Sequence, residues 1–189
     1  MNNILLLSLV FVSFFSFSQD EDYAEPRFGQ EIAVDGFFSV NTFGGIFDIG
    51  TKFGVKFGKD STLIAGPSLR LQRIWSNVLQ QKNSYNIYGG GAFFHARFYN
   101  AFFLGAEFEY IHTPFNFLLV DSPKQWVPVF FIGGGYSQAF DSGLRLNVGI
   151  MYDLINSVNT PFRRSYLTKK ENGVFIPIIY RIALFIPLR

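Results

Sequence analysis

The chain has 189 residues, 25 of them Phe, with 16% charged side chains, no Cys and a formal net charge of +2. The lack of cysteine excludes a disulfide scaffold, a thiolate metal centre, a cysteine nucleophile and a lipid anchor on an N-terminal cysteine. Charged content well below the roughly 25% usual for soluble domains argues against an ordinary soluble globule, and the near-zero net charge gives no reason to expect a nucleic-acid partner.

The first segment, "MNNILLLSLVFVSFFSFSQD", carries an apolar run from Ile4 to Phe17. The run is too short for a spanning helix, which needs about 20 residues. Ser16 and Ser18 supply small residues at the −3 and −1 positions of a cleavage site, so residues 1–18 read as a cleavable secretory signal peptide. Residues 19–31, "QDEDYAEPRFGQE", are acidic and unpatterned and read as a periplasmic lead-in. A barrel domain is expected over 32–189.

From there the pattern is strand after strand, with apolar side chains at every second position. The first is expected at 32–43 and the second at 45–58, where "GIFDIGTKFGVKFG" sets Phe47, Ile49, Phe53, Val55 and Phe57 against Asp48, Lys52 and Lys56. The third (62–75) sets Leu69 and Leu71 against Arg70 and Gln72, and the fourth (85–98) sets Tyr88, Phe94 and Phe98 against His95 and Arg97. The fifth (102–112) opposes Leu104, Phe108 and Tyr110 to Glu107 and Glu109; the sixth (127–139) is blurred by "IGGGYS". The seventh (144–155) opposes Leu146, Val148 and Ile150 to Arg145, Asn147 and Asp153, and the eighth (174–188) opposes Tyr180, Ile182 and Leu184 to Arg181 and Ala183. No stretch after the leader sustains a helical period, so the expectation is eight strands and no helix of consequence.

Short connections, "GKDS", "YN" and "FDSG", alternate with longer ones at 76–84, 113–126 and 156–173. Only the first hairpin, at Gly44 and Gly45, breaks the alternation. Short turns on one side and long loops on the other, with an even strand number, belong to transmembrane barrels. Phe, Tyr, Leu and Ile would overfill the interior of an eight-stranded barrel, which is just wide enough for side chains; the face rich in Gly and charge would fit. That face carries Asp35, Asp48, Glu107, Glu109 and Asp153 against Lys52, Lys56, Arg70, Arg97, Arg145 and Arg181, near balance, as buried charges require. Trp75, Tyr85, Tyr99, Tyr110, Trp126 and Tyr136 lie near strand ends, where interfacial girdles sit. The expected fold is an all-β, eight-stranded antiparallel up-and-down transmembrane β-barrel with bulky apolar side chains turned to lipid.

With "FSFSQ", "GTKFGVKFG" and "GGGYSQAFDSGLRLNVGIMYD" in view, the chain resembles the small eight-stranded outer-membrane barrels of the OmpA and OmpX type, in the form found in Bacteroidota. It departs from them at its last residues, "ALFIPLR", where such barrels carry an aromatic residue. The resemblance implies a place in the cell outer membrane. It implies no single function, because such barrels serve as adhesins, stabilisers, enzymes and accessory subunits.

Three readings of function follow. The leading one is a non-enzymatic barrel with a side-chain-filled lumen and a structural, adhesive or accessory role carried by its long outer loops. It needs no cofactor or metal; its partners are outer-membrane lipid, with lipopolysaccharide or another outer-membrane protein as further candidates. The cluster Arg163, Arg164, Lys169 and Lys170 in "RRSYLTKK" is the candidate loop contact for an anionic partner. The second is a lipid-modifying enzyme or small-ligand transporter at the outer rim, using His112 near Glu109, although no Ser stands at a matching spacing and the two residues fall on opposite strand faces. The third is a soluble barrel with an apolar cavity. His95, Arg97, Glu107 and Glu109 are expected to meet inside the barrel across the "YN" turn, as a hydrogen-bonded filling rather than a metal site.

Overall fold

Period-two alternation gives every strand one apolar and one polar face, and a sheet of such strands must choose which face to enclose. In the computed structural model the polar face is enclosed. The structure describes residues 29–41, 44–58, 62–78, 81–99, 101–115, 122–166, 168–169 and 175–188. The expected signal peptide at 1–18 and almost all of the lead-in at 19–31 lie outside the described residues.

Eight antiparallel strands close into an up-and-down barrel: β1 (Gln30–Asn41), β2 (Gly44–Phe57), β3 (Leu63–Val78), β4 (Gln81–Phe98), β5 (Phe102–Pro114), β6 (Lys124–Ala139), β7 (Arg145–Asp153) and β10 (Ile178–Leu188). Each pairs with its neighbours in sequence, and β10 returns to pair with β1. A 3-10 helix (Pro161–Ser165) and a two-stranded ribbon of β8 (Thr168–Lys169) and β9 (Phe175–Ile176) lie between β7 and β10. The near end of the barrel carries Gln30, Leu188 and the tight turns; the far end carries the other connections.

The outer surface is apolar. Leu69 is 67% exposed, and Phe47, Phe53, Leu71, Phe94, Leu104, Phe108, Ile150 and Ile182 are exposed with it. Lys52, by contrast, is 2% exposed, and Asp35, Asp48, Arg70, Glu107, Glu109 and Arg181 are all buried in the lumen. A water-soluble barrel has the opposite distribution.

The strands differ from the sequence expectations where local physics overrides the pattern. β1 begins at Gln30 and not at 32, so Glu31, expected in the lead-in, lies in the barrel wall. The 76–84 gap is no long loop: the β3–β4 ladder continues through Ser76↔Asn83 and Asn77↔Lys82 to Val78↔Gln81. The stretch 76–84 is mostly polar in sequence, which erases the apolar alternation while leaving the backbone pairing intact. β7 stops at Asp153, whose Oδ1 accepts the backbone N–H groups of Ile155 and Asn156, each at 3.1 Å, and Asn156 takes φ +44°. Ahead of β10, Pro177 accepts the Asp153 N–H at 2.8 Å, whereas Phe175–Ile176 pairs with Thr168–Lys169 in a separate ribbon. Tyr85, expected in an outer girdle, turns inward and packs against the far-end core.

Candidate functional site

Odd-numbered positions on β1, β4 to β7 and β10, and even-numbered positions on β2 and β3, face inward, and the register brings residues far apart in sequence to one axis. The lumen is filled in three tiers. At the near end Ala33, Ile64, Phe93, Ala183 and Phe185 form an apolar tier. At its edge Glu31 pairs with Lys56 at 2.8 Å and with Arg97 at 2.7 Å, and the Arg97 guanidinium lies over the Phe185 ring at 4.9 Å.

The middle tier is a continuous ion network. Lys52 Nζ bonds Asp35 at 2.7 Å and Glu107 at 2.6 Å. Arg181 Nη1 donates to Glu107 at 2.7 Å and approaches Asp35 at 3.4 Å. Arg70 forks onto Glu109 with bonds of 2.7 and 2.9 Å, pairs with Asp48, and reaches Asp35 at 3.1 Å. Gln72 donates to Asp48 at 3.1 Å. A buried pair of this kind is stable only when every member is neutralised, because the desolvation of each charge is large. Among the described residues the buried acids are Glu31, Asp35, Asp48, Glu107, Glu109 and Asp153, and the buried Lys and Arg are Lys52, Lys56, Arg70, Arg97, Arg145 and Arg181, six against six. The lumen as described therefore needs no counter-ion.

The meeting of His95, Arg97, Glu107 and Glu109 expected from the β4–β5 register is divided by the structure. His95 Nε2 lies 3.0 Å from Glu107, its ring flanked by Phe93, Phe103 and Phe185. Arg97 goes to Glu31 and Glu109 goes to Arg70. Arg145 is buried beside Ser137, which donates to Asn147 at 2.7 Å. Among the described residues no group of three or more His, Asp and Glu side chains is arranged to hold a metal ion.

The far-end tier was not legible in the pattern. Ile46, Ile74, Ile87, Ile111, Val129, Phe131, Met151 and Ile179 point inward, and the β7–β10 connection folds down upon them. Pro161 starts the 3-10 helix, which places Phe162 edge-on to Phe131 with ring centres 5.0 Å apart and brings the Arg70 guanidinium to 5.5 Å from the Phe162 ring. Tyr166 follows it inward and donates to Asp153 Oδ2 at 2.9 Å. Burial and the adjacent Asp153 carboxylate hold the Tyr166 phenol well above its ordinary pKa. The described stretch Pro161–Tyr166 of this connection is thus a cap over the lumen. Arg163 is half-buried within it; the side chains of Arg164 and Lys169, and Lys170 altogether, lie outside the described residues.

On the outer surface a row of rings crosses β4, β5 and β6. His112 lies between Tyr88 at 5.0 Å and Trp126 at 4.9 Å, and Trp126 stacks on Tyr110 at 5.4 Å with the planes 11° apart. Further towards the far end, Arg73, Lys82 and Lys124 are exposed. His112 therefore belongs to an outward aromatic row, whereas Glu109 is buried in the lumen on the opposite face of the same strand. The segment 116–120 of the apolar "TPFNFLLV" stretch lies outside the described residues.

No protein-family model matches the chain, and no curated protein matches it. Among solved structures it is similar to the Yersinia pestis outer membrane protein Ail, determined in a phospholipid bilayer nanodisc. The two share 11% identity over 85% of this chain and 99% of that one, with a TM-score of 0.45.

Proposed function

We infer that the chain is a non-enzymatic barrel of the cell outer membrane, closed to ion flow, which acts through its far-end surface in a structural, adhesive or accessory role. The observation that carries this reading is the inverted distribution of side chains: a lipid-compatible exterior around a polar interior in which the buried charges balance. In hydrocarbon a sheet survives only as a closed barrel, since no water is present to take up edge hydrogen bonds. Eight strands with filled tiers leave no porin-sized channel. The secretory leader expected at 1–18 fits this compartment.

The far-end side faces outward from the cell in this reading. Its recognition elements are the projecting β3–β4 hairpin and the connections 115–123 and 154–177. Arg73, Lys82 and Lys124 above the aromatic row, with Arg163, Arg164, Lys169 and Lys170, supply cations for the anionic headgroups of lipopolysaccharide or for an outer-membrane protein partner. His112 and Glu109 stand on opposite faces of β5, which argues against a shared acid–base site.

Reconstitution into planar bilayers tests the closed lumen: the reading expects no stepwise conductance, and porin-like steps contradict it. Affinity isolation from outer membranes, with the full chain and with the β3–β4 hairpin tip replaced by Asn-Gly, tests the outward role. A partner lost with the tip supports it; an unchanged lipid A profile in His112→Ala cells separates it from the enzyme reading.

A further inference from the structure

At the β1–β10 seam the pairing stops although both strands run on. Its ladder runs from Gln30↔Leu188 to Asp35↔Ala183 and ends there. Beyond that point Gly36–Asn41 pairs only with β2, and Ile178–Ile182 only with β7. The same register would set Gly36 opposite Ile182 and Phe38 opposite Tyr180. Neither pairing is made, and Phe38 and Tyr180 stand exposed on the outer surface at this seam.

Behind this parting lies a cavity of about 50 Å³, lined by Asp35, Arg70, Arg181, Phe37, Ile179 and the capping Phe162. Gly36 and Tyr180, on the two strands that do not pair there, line it too, so the cavity lies directly behind the seam. Of the lining atoms, Arg181 Nη2 and Ser165 Oγ have no hydrogen-bond partner among the described residues, and Asp35 Oδ1 has only the ionic approach of Arg70 at 3.1 Å. Arg181 is more than nine-tenths buried. A guanidinium N–H left without an acceptor in such a place is costly, as is an unpaired strand edge within hydrocarbon.

Charge decides what fits. The network beside the cavity holds four carboxylates, Asp35, Asp48, Glu107 and Glu109, against Lys52, Arg70 and Arg181, with His95 bonded to Glu107. Whatever the charge on His95, no cation is left over to balance an added anion. The volume accommodates a group of one or two water molecules' size, such as a hydroxyl or carbonyl. The lining that β1 and β10 contribute beside the seam includes the apolar Phe37, Ile179 and Tyr180.

We propose that the parted β1–β10 seam is a lateral binding site for a single-chain amphiphile with an uncharged, hydrogen-bonding head, drawn from the surrounding bilayer. The head accepts the free N–H of Arg181 and meets the Ser165 hydroxyl; the hydrocarbon chain lies along the outer side of the seam over Phe38 and Tyr180. The site rests on the membrane placement given above. Its occupant seals the part of the wall where the two strands do not pair, beneath the Phe162 cap.

The full chain in phospholipid nanodiscs, followed by residue-resolved amide hydrogen exchange, tests this with 1-monooleoylglycerol as the probe and oleate as the anionic control. Without probe, seam-facing amides of Gly36–Asn41 and Ile178–Ile182 exchange about tenfold or more faster than those of Phe103–Tyr110. Monooleoylglycerol slows the seam amides and appears as a bound adduct by native mass spectrometry; oleate does neither. Ser165→Val weakens the protection and leaves exchange in β5 unchanged. Seam amides already as protected as those of β5, no protection by monooleoylglycerol, or equal protection by oleate each overturns the site alone. A chain that fails to enter the nanodisc contradicts the membrane placement as well.

Discussion

The Tyr166 hydroxyl donates to Asp153 Oδ2 at 2.9 Å, joining the cap to the residue at which β7 ends. Asp153 Oδ1 meanwhile accepts two backbone N–H groups of the chain leaving the strand. One carboxylate thus stops β7, turns the chain, and anchors the segment that returns over the lumen. Tyr166→Phe removes the anchor but keeps the ring; the expected loss is about 1–3 kcal/mol, since a buried carboxylate loses a donor. Urea unfolding in lipid vesicles measures it.

The same contact sets a pH dependence. Burial and Asp153 raise the Tyr166 phenol above its ordinary pKa in the folded state. The folded state therefore holds this proton more tightly than the unfolded chain. The stability it contributes is full below the ordinary tyrosine value near pH 10 and falls as pH rises above it. Unfolding at pH 9 and at pH 11 compared between wild type and Tyr166→Phe should show a steeper alkaline loss in wild type; parallel losses contradict the contact.

Lys52 neutralises both Asp35 and Glu107. Lys52→Met leaves the network one cation short in a place that water does not reach, and should destabilise by about 3–5 kcal/mol. Heat-modifiable migration on gels and vesicle unfolding both report it. A loss below about 1 kcal/mol, typical of surface pairs, means the network is solvated.

Phe162 caps the far-end tier against Phe131. Phe162→Ala should cost about 3 kcal/mol through loss of its packing. It should not create conductance, because the ion network below remains in place. Single-channel recording on the variant checks the second point directly.

Gly91 faces β5 so closely that an added Cβ would sit 1.7 Å from the Phe108 carbonyl oxygen. Backbone cannot yield as a flexible side chain can, so Gly91→Ala should sharply reduce folded barrel in the membrane fraction. Gly58, in the open β2–β3 turn, offers a contrast: a Cβ there meets only the end of Leu63, although its φ of +90° strains any other residue.

The wall was largely legible in the sequence, and the plug was not. Alternation on β2, β5 and β7 reported both faces because each position there faces either the barrel exterior or the lumen. The pattern failed at Ser76–Asn83, where the hairpin is mostly polar in sequence, and at Tyr85, an aromatic near a strand end that points inward. Glu31 was hidden by its acidic neighbours, which look alike in sequence but are not alike in register. Phe162 and Tyr166 flank Arg163 and Arg164, so composition gave the segment a solvated look; only the turn set by Asp153 sends the two rings down the axis. The split of His95, Arg97, Glu107 and Glu109 among separate partners depends on β1, β3 and β10, which local spacing between β4 and β5 does not reveal.

The orientation of the strand faces is tested most directly by single-cysteine spin labelling, which the cysteine-free chain permits without further changes. Nitroxides at Phe47, Leu69, Leu104 and Ile150, read in phospholipid vesicles, should collide freely with oxygen and hardly at all with a water-soluble nickel chelate. High accessibility to the chelate at these four sites, with low accessibility to oxygen, would contradict the inside-out barrel.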